Sequence, residues 1–240
     1  MSKIEGRNSV NELLKGDRRV KEILLQKGIQ GEIIKKIKKR AQKNNISVKE
    51  VSKSHLDNIA SSYAHQGVIA EAEKINLVSP EDIIKYAKKQ GESPFIVILD
   101  QVQDPHNFGS IIRSAHSAGA HGLIFQKRRA ASITPAVLKA SAGASEHLCL
   151  SQVTNINYTI EKLKELGVWI TGTDLDTEKY YDDVDYEGST AVVIGNEGSG
   201  LRRLVKENCD FLVKIPIKGK VDSLNASVAA GVIFYEVVRQ

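Results

Sequence analysis

Six short apolar runs beyond residue 94 constrain the fold more than any other feature. "FIVILD" begins directly after Pro94, and "GLIF", "HLCLSQV", "VWITGTD", "TAVVIG" and "FLVKIPI" follow, separated by stretches with helical patterning. None alternates apolar with polar residues as a strand with one wet face would, so each is expected to be buried on both faces. Strands of that kind with helices between them belong to a parallel sheet covered on both sides. The expected fold class for residues 94–240 is therefore α/β.

The first part of the chain reads differently. "SVNELLK" is predicted helical, "VKEILLQ" a strand, 31–44 a helix, "ISVKEVS" a strand, "KSHLDNIAS" a helix and "HQGVIAEAE" a strand. These elements make a small α/β domain over residues 1–72. A linker, 73–93, contains "SPEDIIKYAKKQGESP", with Ser79 as N-cap, Pro80 at the first helical position and acidic residues in the first turn. The second domain then runs from 94 to 240.

Charge separates the same two parts. Residues 1–54 hold 15 Lys and Arg against 6 Asp and Glu, whereas the other 186 residues hold 19 against 23. In "IIKKIKKRAQKNN", Ile33, Ile34, Ile37 and Ala41 fall at helical spacing, so the lysines fan over the outer face of an amphipathic helix. Such a face is either simply solvated or binds a polyanion, and the asymmetry along the chain favours the second. No long uncharged apolar run and no signal-peptide pattern occur, so a cytosolic protein without a membrane span is expected. Cys149 and Cys209 are expected to be free thiols in the core, and they are too few for a zinc site.

The stretch "AVVIGNEGSGLRR" poses the functional question. Gly195 and Gly200 have P-loop spacing, yet Leu201 and Arg202 stand where the phosphate-binding Lys and the Ser or Thr would be required. Reading G-x-G-x-x-G from Gly198 puts Arg203 where the third glycine belongs, so the dinucleotide fingerprint fails as well. Glu197 within the loop would repel a phosphate, and a ligand with positive charge or donor groups fits better.

Two further stretches carry polar residues of the same kind. In "DPHNFGSIIRSAHSAGA", Asn107 taken singly reads as a helix cap and Arg113 as a solvated side chain; in "VKIPIKGKVDSLNASVAAGVIFYEVV", Ser223 or Asn225 reads as the cap of the last helix. Together and in this order, "NFGSIIRSA", "VIGNEGSGL" and "IPIKGKVDSLNASVAAG" resemble the three motifs of the SpoU family of RNA ribose 2′-O-methyltransferases. In the N-terminal part, "EGRNSVNELL" and "HQGVIA" are similar to the ribosomal-protein-like substrate domain of the bacterial members that methylate a guanosine of large-subunit (23S) rRNA.

That resemblance implies a parallel-sheet domain with a deep trefoil knot at its C-terminal end, a homodimer whose active sites draw on both subunits, and S-adenosylmethionine as methyl donor. It places the donor among Thr171, Gly172, Thr173 and Asp174; Gly195, Asn196, Glu197, Gly198 and Gly200; Ile215, Pro216 and Ile217; and Leu224 with Ser227, with backbone groups of Ile215 and Leu224 reading the adenine. The glycines are expected to let the donor approach the backbone closely. The implied catalytic set is Asn107, Arg113, Glu197, Ser223 and Asn225, with no metal. A guanidinium stays charged in proteins, so Arg113 is expected to bind the neighbouring phosphate and stabilise the developing alkoxide rather than act as a base. The substrate is expected to be 23S rRNA; a tRNA guanosine, or RNA binding without catalysis, are the alternatives. Lys127, Arg128 and Arg129, in "QKRRAASITPAVLKASAG", read equally as a phosphate-contacting loop or a solvated turn, and His65 reads either as an RNA contact or, as is commoner for a histidine entering a strand, as structural.

Overall fold

The computed structural model describes residues 1–61 and 65–240. In chain order the elements are β1 (Ser2–Glu5), α1 (Arg7–Leu13), β2 (Val20–Gln26), α2 (Glu32–Lys43), β3 (Ser47–Val51), α3 (Lys53–Ile59), β4 (Val68–Ala72), α4 (Pro80–Gln90), β5 (Phe95–Leu99) and α5 (Pro105–Ser117). They continue with β6 (Gly122–Gln126), α6 (Pro135–Ala140), β7 (Cys149–Val153), α7 (Ile156–Glu165), β8 (Trp169–Thr173), β9 (Thr190–Ile194), α8 (Arg203–Asn208), β10 (Phe211–Val213) and α9 (Ala226–Arg239). No described helix is long and apolar enough to cross a membrane.

Two units emerge, one made of Met1–Asn76 with Ile133–His147 and the other of Leu77–Ser132 with Leu148–Gln240. In the first, the sheet order is β1-β4-β2-β3, antiparallel except for the β2–β3 pair. Helix α2 buries Ile34, Ile37 and Ala41, which leaves Lys35, Lys36, Lys39 and Lys43 exposed, as their spacing predicts. Residues 133–147 lie far along the chain, but Leu138 of α6 is buried in the same core as Ile4, Val10 and Leu13. Glu146, just beyond, faces Arg18 at 3.3 Å with both side chains nearly buried; burial raises the pKa of its carboxyl although the guanidinium opposes the shift.

The second unit holds the parallel sheet expected from the six apolar runs. Its order is β10-β8-β9-β5-β6-β7, and every neighbouring pair is parallel. Strands β5, β6 and β9 are buried along their whole length, which explains why they carry no polar face. "FLVKIPI" supplies only a three-residue edge strand, Phe211–Val213. The chain passes from β5 to β6 on one side and from β9 to β10 on the other, so the loops leaving the C-terminal ends of β5 and β9 diverge and open a crevice there.

Candidate active site

Helix α5 starts beside this crevice. Its N-cap is Asp104, whose Oδ1 accepts from the Asn107 backbone N–H at 2.7 Å, and Pro105 occupies the first turn. The reading of Asn107 as the cap is thereby corrected. Asp104 stands three residues earlier, where a carboxylate reaches the free N–H groups, and the Asn107 amide is left for other partners.

Those partners are the other two motifs. Asn107 Nδ2 donates to Glu197 Oε1 at 2.9 Å, and Asn225 Nδ2 donates to Asn107 Oδ1 at 2.9 Å. Asn225 also caps α9, its Oδ1 accepting from the backbone of Ser227 and Val228 and from the Ser227 hydroxyl. Of the two cap candidates before α9, the cap is thus Asn225. Three residues, one from each motif stretch, form one hydrogen-bonded chain.

The glycine loop is held from within and from below. Asn196 Oδ1 accepts from the Gly198 and Ser199 backbones and from the Ser199 hydroxyl, while its Nδ2 donates to Gln101 O. Asn196 and Gly200 exchange backbone hydrogen bonds that close the loop. A Cβ on Gly195 would stand 2.4 Å from Gly200 C and 2.6 Å from Leu201 N. Gly195 is therefore required by the closure of the loop rather than by the approach of a ligand, and Gly200 by its left-handed φ of 65°. Beneath the loop, Asp100, fully buried at the end of β5, accepts from Arg202 N at 2.9 Å and from Arg202 Nε at 2.8 Å.

Above the C-terminal ends of β8, β9 and β10 lies a cavity of about 230 Å³. Of the residues named from the sequence, Thr173, Asp174, Gly195, Asn196, Glu197, Gly198, Gly200, Ile215, Ile217, Ser223 and Leu224 line it. Thr171, Gly172, Pro216 and Ser227 do not. Thr171 is buried within β8, and a Cβ on Gly172 would meet Cys209 Sγ at 2.7 Å and Leu201 Cδ1 at 2.8 Å, so that glycine serves core packing. Arg113 is exposed on α5, outside the Asn107–Glu197–Asn225 chain, and makes no ion pair with a described residue. Sequence reasoning missed Leu175, Ile194, Val213, Lys214 and the α9 residues Ala226, Ala229 and Ile233 in the cavity wall. It also missed the Asp100–Arg202 pair, although an acid closing a buried apolar run was a visible signal.

The walls are apolar where Ile194, Val213, Ile215, Leu224 and Ile233 face inward, and carboxylate-bearing at Asp174 and Glu197. Asp174 is engaged by Lys206 at 2.7 Å, while Glu197 is contacted by the amides of Asn107 and Asn196. An apolar cleft with backbone edges and a carboxylate at its mouth suits a flat heterocycle joined to a cationic centre better than a polyphosphate.

Comparison with known proteins decides the matter. Residues 94–235 match the model of the SpoU rRNA methylase family, and residues 3–78 match the substrate-binding model of RNA 2′-O ribose methyltransferases. The chain belongs to the SpoU methyltransferase family. It is 43% identical over 235 residues to YacO of Bacillus subtilis (strain 168), covering 98% of this chain and 94% of that one, and 42% identical over 237 residues to a protein of Staphylococcus haemolyticus, covering 99% and 95%. Both relatives are named for the TrmH family of tRNA/rRNA methyltransferases. The solved structure of the SpoU methyltransferase AviRb from Streptomyces viridochromogenes, in complex with S-adenosylmethionine, superposes with a TM-score of 0.82 at 26% identity, covering 99% of this chain and 89% of that one. This SpoU protein is an RNA ribose 2′-O-methyltransferase, and the methyl donor of its family is S-adenosylmethionine.

Proposed function

We propose that this SpoU methyltransferase methylates the ribose 2′-hydroxyl of a guanosine in 23S rRNA. The observation that carries the reading is the hydrogen-bonded chain Asn225–Asn107–Glu197, which ends on Glu197 in the cavity wall, because it gathers one polar residue from each of the three motifs at one point. The ribosomal substrate rests on the match of residues 94–235 to an rRNA methylase family and on the basic N-terminal part.

When bound, S-adenosylmethionine supplies an electrophilic methyl group on a sulfonium centre. Ile215, Ile217 and Leu224 would hold its adenine, and the glycine loop with Asp174 the remainder. Asn107, Glu197 and Asn225 orient the ribose, Ser223 lies at the cavity wall, and alignment of the attacking oxygen accounts for much of the rate. Arg113 binds the phosphate beside the acceptor ribose and stabilises charge developing on the 2′-oxygen. Its exposed position, apart from the Asn107 chain of its own protomer, fits a site shared between two copies. Val228, Tyr235 and Val238 of α9, each more than half exposed, offer an apolar face for such a homodimer. The reading includes residues 1–72 as the RNA-binding domain, 73–93 as linker, 94–240 as the methyl-transfer domain apart from the 133–147 segment that packs into the first unit, and the trefoil crossing of the C-terminal segment.

Labelled S-adenosylmethionine incubated with total rRNA and total tRNA, followed by mapping of the modified nucleotide, tests the reading. Label in a 2′-O-methylguanosine of 23S rRNA is the expected result. Label confined to tRNA would overturn the substrate, and no transfer to either RNA would leave a binding protein.

A further inference from the structure

The basic triplet Lys127-Arg128-Arg129 is not used by any of the chemistry described so far. We propose that this loop is a phosphate clamp for the acceptor RNA strand on the methyl-transfer unit itself, distinct from the lysine face of α2. The inference rests on the RNA-methylation reading and adds to it where the strand runs.

Position is the first argument. Strand β6, which ends at Gln126, is parallel to β5, and β5 is parallel to β9, so the loops that follow all three emerge at one edge of the sheet. Two hydrogen bonds bracket the triplet against the loops bearing the methyl-transfer residues. Ala131 N donates to Val102 O at 2.9 Å, and Val102 leads directly into the Asp104 cap and Asn107. Arg202 Nη2 donates to Gln126 Oε1 at 3.3 Å, and Arg202 directly follows the glycine loop. On its outer side the triplet is fastened by Lys127 N donating to Val153 O at 2.9 Å.

Electrostatics is the second. Lys127, Arg128 and Arg129 are exposed and consecutive, and no acidic side chain pairs with them among the described residues. Three cations close to the glycine loop are engaged instead: Arg202 by Asp100, Lys206 by Asp174, Lys214 over the Tyr180 ring. Arg129 moreover sits at a φ of 58°, a region that side-chain-bearing residues seldom occupy. Three neighbouring cations without acidic partners repel one another and gain nothing from the fold, so a polyanion is their fitting partner.

In the sheet order β5 alone separates β6 from β9, and the Asn107–Glu197 pair belongs to the loops that follow β5 and β9. The triplet thus follows the strand next to the one whose loop carries Asn107, and an RNA strand whose ribose is held by that pair can lay a neighbouring phosphate on it.

Replacing all three residues with glutamine in the full-length protein tests the clamp. RNA affinity and methylation are measured from low to high salt, and S-adenosylmethionine affinity by calorimetry. The expected result is a log–log salt slope smaller by about 2 to 3, at roughly 0.7 to 0.9 for each phosphate no longer neutralised, and an RNA KM raised about tenfold or more. Donor affinity and kcat at saturating RNA should stay within about twofold, because the triplet touches neither reacting group. Unchanged slope and KM beside an active parent overturn the clamp alone. A parent that methylates no RNA overturns the activity reading and the clamp with it. Should the triple variant lose donor binding, Arg128→Glu decides, since it leaves Arg129 and both flanking hydrogen bonds in place: a raised RNA KM supports the clamp, and an unchanged one overturns it.

Discussion

Asn107 and Glu197, 90 residues apart in sequence, meet through one amide-to-carboxylate hydrogen bond of 2.9 Å. The bond ties the start of α5 to the glycine loop, and Asn107 passes the connection on to Asn225 at the start of α9. Asn107→Ala removes both links while leaving the helix cap, which uses the Asp104 side chain and only the backbone of residue 107. Turnover should fall about ten- to a hundredfold from misplacement of the ribose-orienting groups, with donor affinity within about threefold and the melting temperature nearly unchanged. Asp104→Ala should behave the other way round, costing about 1 kcal/mol of stability. Steady-state kinetics beside thermal denaturation of the two variants distinguishes the roles; equal turnover for Asn107→Ala and the parent would remove Asn107 from the site.

The glycine loop shows where sequence reasoning reached its limit. That these glycines serve neither a P-loop nor a dinucleotide fold was legible, because the residues needed at fixed offsets are absent. The reason for Gly195 was not legible. It depends on Gly200 and Leu201 folding back to within 2.6 Å of a missing Cβ, an approach made only once the loop closes. Gly195→Ala should therefore distort the loop and weaken S-adenosylmethionine binding at least about tenfold, whereas Gly198→Ala, whose Cβ would meet nothing nearer than 3.6 Å, should bind within about twofold. Calorimetric titration of both variants checks this, and equal affinities would contradict the closure argument.

Arg113→Ala should lower kcat at least about a hundredfold while leaving donor affinity intact, since the arginine lies outside the cavity wall and is assigned to the acceptor side. Mixed dimers give the sharper readout. If Arg113 serves the partner's site, combining Arg113→Ala subunits with Asn107→Ala subunits should restore up to about half of one site per dimer. No restoration in a dimer confirmed by sedimentation would place Arg113 in its own protomer's site.

The Asp100–Arg202 pair anchors the glycine loop to β5, and Asp100 is closed off from solvent. Removing one partner of a buried pair leaves an uncompensated charge, so Arg202→Met should destabilise the protein by about 3 kcal/mol and loosen the loop above it. Urea denaturation with and without donor measures both effects. A loss under about 1 kcal/mol would mean that the pair is solvated rather than buried.

Burial pushes the Cys209 thiol up to about 12, with neighbouring Asp210 adding to the shift, and Cys149 is raised in the same direction. A raised thiol pKa means less thiolate at neutral pH. At pH 8 roughly one part in ten thousand of Cys209 would be ionised. Alkylation of the folded protein at pH 8 should be slower at Cys209 than in urea by about a thousandfold, read by mass spectrometry at each site. Fast native labelling would contradict the packing of Cys209 against Gly172.

What the sequence could and could not disclose also decides how the N-terminal unit is tested. The strands of the parallel sheet were legible because burial on both faces leaves an unbroken apolar run. Attachment of residues 133–147 to the other unit was not, because it rests on Leu138 entering a core built over a hundred residues earlier and on Glu146 facing Arg18. Deleting residues 1–72 would expose Leu138 and leave Glu146 without its cation, so a truncated protein confounds lost RNA affinity with damaged folding. Neutralising lysines on α2 avoids that. Lys38 is already paired with Glu50 at 2.8 Å, which makes Lys35, Lys36, Lys39 and Lys43 the informative set. Changing these four to glutamine should weaken RNA binding and lower the log–log salt slope by about 0.7 to 0.9 for each phosphate no longer neutralised. Turnover at saturating RNA should survive, because docking groups on phosphate position the substrate without entering the reaction. The measurement is RNA affinity against salt for the variant beside the parent, and identical slopes would show α2 to be a solvated face.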